Sequence, residues 1–175
     1  MLITEAALGG TQSHLLTLDA QGQASVPVPL APPDARGGLA ANLRVADLNE
    51  DGRDEILWIG EGKLHATGQG VEQALWEWPL PKENCAILDI LPRKEQAPPT
   101  VAVWSGTGVY GLDAQTGHPR WRCPGPGAPA RQLRTNVLGA ADPRGLPLVM
   151  FEEMYDPANY ANTSLVCRQA VPANP

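Results

Sequence analysis

Asp47-Leu48-Asn49-Glu50-Asp51-Gly52-Arg53-Asp54-Glu55, running straight into Ile56-Leu57-Trp58-Ile59-Gly60, is the stretch on which the reading of this chain turns. Counted from Asp47, side-chain oxygens stand at position 1 (Asp47), position 3 (Asn49), position 5 (Asp51) and position 9 (Glu55). Gly52 fills position 6, where a tight loop needs a residue without Cβ. Arg53 at position 7 offers a backbone carbonyl, with its side chain turned outward. A hard cation such as calcium takes about six to eight oxygens from a loop flexible enough to wrap it, and this spacing supplies them. The plainer alternative is a polar turn, since Asp-Gly is a common turn dipeptide. Either way the loop opens into Ile56–Gly60, whose length and β-branched and aromatic content predict a buried strand.

That strand excludes one class of calcium loop. An EF-hand closes with a bidentate Glu at position 12 and carries a helix on each side. Position 12 here is Trp58, inside the strand. The wider string Val45-Ala46-Asp47-Leu48-Asn49-Glu50-Asp51-Gly52-Arg53-Asp54-Glu55-Ile56-Leu57 instead closely resembles the calcium loop of FG-GAP/VCBS repeats, which build β-propellers. The resemblance implies Asp47, Asn49, Asp51, the Arg53 carbonyl and Glu55 as a calcium-binding set. The usual closing Asp is Glu55 here.

Two further self-similarities extend the repeat reading. Trp58-Ile59-Gly60-Glu61-Gly62 recurs as Trp104-Ser105-Gly106-Thr107-Gly108, 46 residues on (58 to 104). Leu18-Asp19-Ala20-Gln21 recurs as Leu112-Asp113-Ala114-Gln115, 94 residues on (18 to 112), close to twice that period. A period of about 40–50 residues with several strands in each unit is the mark of a propeller. Val109 to Trp121 also resembles the PQQ-like repeat of quinoprotein propellers, in which an LDAxTG turn precedes a Trp that packs between blades.

Four units follow, at about 1–35, 39–80, 81–124 and 131–171, within a single domain over 1–175. Strands are predicted at Leu2–Ala7, Leu15–Leu18 and Ser25–Leu30, then at Leu43–Ala46, Ile56–Ile59, Lys63–Thr67 and Leu75–Trp78. The third unit has Ala86–Leu91, Thr100–Trp104, Val109–Leu112 and Arg120–Cys123. The fourth has Leu133–Gly139, Pro147–Phe151 and Ser164–Gln169. Val71, Ala74, Leu75 and Trp78 also fit a short helix ending at Pro79, but a helix that short has little stability of its own. Only the second unit carries the ligand loop: Asp89 with Leu91-Pro92-Arg93-Lys94, and Asp142-Pro143-Arg144-Gly145, lack it.

Composition agrees. The 175 residues include 18 Gly and 18 Pro, a load of turn formers that suits short strands better than helices. The net charge of −6 gives no electrostatic footprint for nucleic acid or an anionic membrane, and no apolar run reaches the length of a membrane span. The start, Met1 to Leu8, has no basic region and carries Glu5, unlike a signal peptide. A cytoplasmic protein or a leader outside this stretch both fit; the family resemblance favours an extracytoplasmic setting. Cys85, Cys123 and Cys167 form no CxxC pair. They read as core residues, as one disulfide plus a free thiol, or as zinc ligands.

Catalytic signals are weaker. Gly106-Thr107-Gly108-Val109-Tyr110-Gly111 matches a dinucleotide fingerprint, but Gly117 and Pro119 forbid the helix that must follow. His14, His65 and His118 recur near one phase of the repeat. Glu152-Glu153 opens an insert running to Asn162, a place where binding often resides. Asn162-Thr163-Ser164 matches a glycosylation acceptor. The expectation is therefore an all-β protein, a β-propeller or a segment of one with about four blade-like units. Its expected work is that of a calcium-stabilised, non-enzymatic binding or scaffold module for a protein or carbohydrate ligand. It would close alone, pair with another copy as a homo-oligomer, or sit within a larger parent chain. The rival expectation is the propeller part of an enzyme, resembling a quinoprotein dehydrogenase or a polysaccharide lyase. Without a cation, the loop's carboxylates repel one another and the loop is expected to be strained or mobile.

Overall fold

The computed structural model describes residues 2–5, 14–17, 21–24, 28–29, 43–68, 74–80, 85–92, 99–125, 131–140, 146–154 and 163–173. The connector at 31–38, Val71 of the helix alternative, most of the Pro/Gly linker (126–130), the turn at 142–145 and the insert from 155 to 162 lie outside them.

The protein is all-β. Fifteen strands fill the described residues, and no helix occurs among them. β1 (Leu2–Glu5), β2 (His14–Thr17) and β3 (Val28–Pro29) form a first antiparallel sheet. β4 (Leu43–Ala46), β5 (Glu55–Gly60), β6 (Lys63–Thr67) and β7 (Ala74–Pro79) form a four-stranded meander. β8 (Cys85–Leu91), β9 (Thr100–Ser105), β10 (Gly108–Asp113) and β11 (Pro119–Pro124) form a third sheet, and β12 (Arg131–Ala140), β13 (Pro147–Met154) and β14 (Thr163–Gln169) a fourth. The short β15 (Val171–Pro172) leaves β14 after a single residue and pairs with β11, on the edge of the third sheet. Two compact units result: Met1–Ile87 with the turn residues Gln115–Gly117, and Leu88–Ala114 with His118–Pro175.

The second strand of a meander has strands on both sides, so its side chains are covered most completely. In β5 and β9 every residue is buried, and both sequences, Glu-Ile-Leu-Trp-Ile-Gly and Thr-Val-Ala-Val-Trp-Ser, are the near-continuous apolar runs such strands require. Leu57, Val101 and Val103 are fully enclosed, each contributing about 1.5–3 kcal/mol of burial. β7, at the edge of its sheet, and β11, flanked on one side by only the short β15, mix exposed and buried residues instead, and each buries a tryptophan, Trp76 and Trp121.

Trp58 and Trp104 occupy equivalent places, each on the second strand of its sheet. The glycines after them do not. Gly60 pairs with Lys63, and the turn is Glu61-Gly62, both at positive φ (51° and 73°) as a two-residue hairpin turn demands. In the third sheet Ser105 pairs with Gly108, and the turn is Gly106-Thr107. One glycine of each W-x-G-x-G is thus a strand residue. The three histidines also part company: His14 begins β2, His65 lies in β6 and His118 follows a turn.

Tryptophan against glycine is the recurrent packing device. Gly111 faces Trp121 across β10 and β11, and a Cβ at Gly111 would overlap the indole. This accounts for the last glycine of the fingerprint-like run without any cofactor. Gly117, at φ 71°, takes the ring of Trp76, which a Cβ would approach to 2.7 Å. The Trp packed on the LDAQTG turn is therefore Trp76 of β7, within the same compact unit, whereas Trp121 covers its own hairpin.

Cys85 and Cys123 are buried, as expected of core residues, but Cys167 is exposed on β14; all three are free thiols. Burial pushes the Cys123 thiol up to about 11, against a weaker opposing pull from Arg168. Its folded pKa lies above the unfolded one, so its contribution to stability is full below about 8.5 and is lost as pH rises toward 11. Native protein at mildly alkaline pH should therefore expose one reactive thiol, Cys167, to a thiol reagent, and three in denaturant. Rapid labelling of Cys123 in the native state would contradict the burial.

Two glycine substitutions separate backbone cost from packing cost. Gly62→Ala meets nothing within 4 Å and should lose about 1 kcal/mol, the cost of φ > 0 alone. Gly117→Ala must also displace Trp76 and should lose about 2–4 kcal/mol in urea unfolding. Equal losses would mean that Trp76 does not press on this turn.

Candidate metal centre

The loop joins two paired strands. Ala46 at the end of β4 is opposite Glu55 at the start of β5, so residues 47–54 form the hairpin's connection. Leu48, one apolar residue among polar neighbours, is buried and anchors the loop from below. Gly52 at φ 84° makes the sharp turn assigned to it. Glu50 at φ 62° makes another, in a region that costs a residue with a Cβ roughly 1 kcal/mol or more.

The predicted oxygens first organise the loop's own backbone. Asp47 accepts the Asp51 N–H on Oδ1 (3.1 Å) and the Gly52 N–H on Oδ2 (2.8 Å). Asn49 Oδ1 also accepts from Asp51 N–H (2.9 Å), and Asp51 Oδ1 accepts from Arg53 N–H (2.9 Å). Glu55 is buried and its Oε2 accepts the Leu48 N–H at 2.7 Å. The loop is thus shaped by charge-assisted hydrogen bonds alongside the backbone cost at Glu50: N–H dipoles supply part of the positive potential that a cation would.

They do not supply all of it. The Asn49 amide nitrogen lies 3.3 Å from both Asp51 Oδ2 and Glu55 Oε1, so two carboxylates share one neutral donor. No Lys or Arg among the described residues pairs with Asp47, Asp51 or Glu55. Among the described residues no group of three or more His, Cys, Asp or Glu side chains is drawn together as a ready metal cluster. The convergence that exists runs through Asn49 and joins Asp51 to Glu55. Arg53 is exposed and takes part through its N–H. These residues fit a hard cation by chemistry: oxygen donors, two of them carboxylates that share one amide donor, with no cationic side chain among the described residues paired to them.

Two features were outside the reach of the sequence reading. Gln115, in the LDAQTG turn, donates from Nε2 to the Asn49 carbonyl at 3.4 Å, across 66 residues of chain. No local pattern announces such a tie. The structural use of Glu55, as acceptor for Leu48, had a weak signal in the apolar Leu48 between Asp47 and Asn49.

Other polar groups were compared with this loop. His65 is buried, stacks on Trp58 (3.9 Å between centroids, 8° between planes), and faces Glu77 Oε1 with Nδ1 (3.1 Å) and the Gly60 carbonyl with Nε2 (3.3 Å). Lys63 Nζ lies 2.5 Å from Glu77 Oε2; that hydrogen bond is the main cause holding the Glu77 carboxyl below its usual range and the Lys63 ammonium above its own. Among the described residues no serine, threonine or cysteine bonds to His65, and the group reads as a cross-strand brace between β6 and β7. Glu152 and Glu153 are not in a loop: both are residues of β13, and the connection begins after Met154. The insert expectation for this pair is corrected accordingly. Asn162 lies outside the described residues.

Comparison of the chain with protein-family models, curated proteins and solved structures returned no match.

Removing the buried acceptor gives a test of the loop that needs no metal. Glu55→Ala orphans the Leu48 N–H and should cost about 1–3 kcal/mol in urea unfolding in the presence of a chelator. Asp54→Ala, on an exposed neighbour, should stay within about 0.5 kcal/mol. Equal effects would remove Glu55 from the loop's architecture.

Proposed function

We propose that this chain is a β-propeller or a segment of one, and that it works as a calcium-stabilised, non-enzymatic binding or scaffold module for a protein or carbohydrate ligand. The reading rests above all on the Asp47–Glu55 loop. Two of its carboxylates meet the one Asn49 amide, with no cationic partner among the described residues, in a hairpin that Gly52 turns sharply. Asp47, Asn49, Asp51, the Arg53 carbonyl and Glu55 would hold the ion. Bound there, it would supply positive charge between the carboxylates and link β4 to β5 beyond their ladder of hydrogen bonds. The propeller part is supported by four antiparallel sheets in chain order, by Trp58 and Trp104 on matching strands, and by Trp76 of one repeat seated on Gly117 of the next repeat's turn.

The ion reading has a direct thermodynamic test. For a site with a dissociation constant of about 0.1 mM, about 2 mM calcium stabilises by roughly 2 kcal/mol through linkage. Thermal melts of metal-stripped protein in EGTA, in calcium and in magnesium should show a raised midpoint in calcium alone. Magnesium demands octahedral geometry and keeps its waters, so it substitutes poorly. Asp51→Ala should abolish the response. Superimposable melts in all three conditions would leave the loop as a hydrogen-bonded polar turn.

A further inference from the structure

Asn49 is held from both its side chain and its main chain. Its Oδ1 accepts the Asp51 N–H (2.9 Å), and its Nδ2 lies 3.3 Å from Asp51 Oδ2 and from Glu55 Oε1. These contacts are internal to the β4–β5 hairpin. Its main-chain carbonyl accepts Gln115 Nε2 (3.4 Å), and that donor comes from the turn after β10. The carbonyl belongs to the peptide joining Asn49 to Glu50, and φ of Glu50 is the rotation that sets this peptide against the rest of the loop. At 62° the rotation lies in the left-handed region, which disfavours a residue with a Cβ. Asp47 and Asn49 reach across this reversal to the Asp51 N–H. A return of Glu50 to negative φ would turn the Asn49–Glu50 peptide relative to Asp51. It would disturb those two bonds and the Gln115 bond together.

The donor is itself seated. Gln115, Thr116 and Gly117 belong to the same compact unit as the loop and β7. Gly117 lies against the buried ring of Trp76, so closely that a Cβ would approach it to 2.7 Å. The Asp113 N–H donates to the His118 carbonyl (2.9 Å) and closes the turn, and the buried Ala114 donates its N–H to the Pro99 carbonyl (2.9 Å). Gln115 is exposed, but the backbone on both sides of it is fixed. A glutamine on a free loop would lose much of its hydrogen bond to ordering; one carried on a packed turn gives up only its own rotamers.

We infer that Gln115 is a positioning residue of the Asp47–Glu55 loop: its bond to the Asn49 carbonyl holds the reversal at Glu50, and through it the disposition of Asn49, Asp51 and Glu55 toward a hard cation. The cation half rests on the ion-binding reading above; the positioning half does not. The bond is longer than the commonest N–H···O distance, so its worth lies in the lower half of the usual range for one hydrogen bond, a factor of about 2–5 in an equilibrium constant. Linkage makes the effect reciprocal. Whatever factor the seated turn adds to ion affinity, a bound ion returns to the seating of the turn.

The test uses the full chain and has one arm without metal. Gln115→Met keeps the length of the side chain and removes its donor, on an exposed position that threatens no core packing. In EGTA, amide hydrogen exchange of Asp51, Gly52 and Arg53, the donors bonded inside the loop, should quicken about 2–5-fold against the β12–β13 ladder. The Asn49 carbonyl carbon resonance should move upfield as it loses its donor, a signature that general destabilisation of the turn would not give. Gly117→Ala leaves the Gln115 amide intact but unseats the turn from Trp76, and should quicken the same amides. In the second arm, calorimetric titration of metal-stripped protein with calcium should show the dissociation constant raised about 2–5-fold in Gln115→Met. Wild-type exchange in the loop of either variant, or an unmoved Asn49 carbonyl resonance, would overturn the inference. So would an unchanged dissociation constant in Gln115→Met when the unmodified chain binds calcium. An unmodified chain that takes up no calcium would instead refute the ion reading alone, and the arm in EGTA would still decide whether Gln115 positions the loop.

Discussion

A buried carboxylate bonded to a backbone amide ties the loop to the sheet. Glu55 begins the most deeply enclosed strand of the second sheet, and it is also the acceptor for the Leu48 N–H. A charged group is costly to bury unless it is hydrogen-bonded, so the position of Leu48, and with it the loop's course, is fixed by the need to satisfy that oxygen. Once Leu48 is in place, the short spacing to Asp47, Asn49 and Asp51 lets their side chains bond the following N–H groups. The order of the loop therefore descends from the order of the sheet. A loop mounted in this way is ordered by its own hydrogen bonds and by the sheet beneath it.

Much of the fold was legible in the chain, for identifiable reasons. Ile56–Ile59 and Thr100–Trp104 announce themselves because strands covered on both faces need uninterrupted apolar residues, and both appear within a residue or so of the expected bounds. Pro79 and Gly60-Glu61-Gly62 punctuate the second sheet because proline and positive φ are local demands, visible locally. What escaped was set by distant partners. Val171-Pro172 is two residues long with no period to read, and only its pairing with Trp121 and Arg122 makes it a strand. The turn after Trp104 sits one residue earlier than its counterpart after Trp58, because the ladder register, not the repeated glycines, decides where a hairpin reverses.

The candidate site divides along the same line. Residue types and spacing single out Asp47, Asn49, Asp51, Arg53 and Glu55 as an expected ligand set, with Gly52 as the turn, since ligand chemistry is written in composition. Their present partners were not legible. Asp47 serves two N–H groups of its own loop, and Gln115 reaches the Asn49 carbonyl from a turn far along the chain. Glu152 and Glu153 were misplaced because a strand's end has no marker there: Phe151-Glu152-Glu153-Met154 contains neither proline nor glycine, and the ladder to β12 and β14 simply continues.

The passage of the chain from β14 to β15 has a consequence for biosynthesis. Residues 171 and 172 cap β11, whose own residues left the ribosome roughly fifty positions earlier. Until Val171 emerges, the third sheet waits with β11 as an open margin, and the fourth sheet must be laid down during that wait. Non-local closure of this kind is slow relative to hairpin formation, and an open margin is the feature through which nascent β chains aggregate. Gln169-Ala170-Val171 are thus the residues through which the third sheet gains its flanking strand on the β11 side, a pairing that no local hairpin can supply.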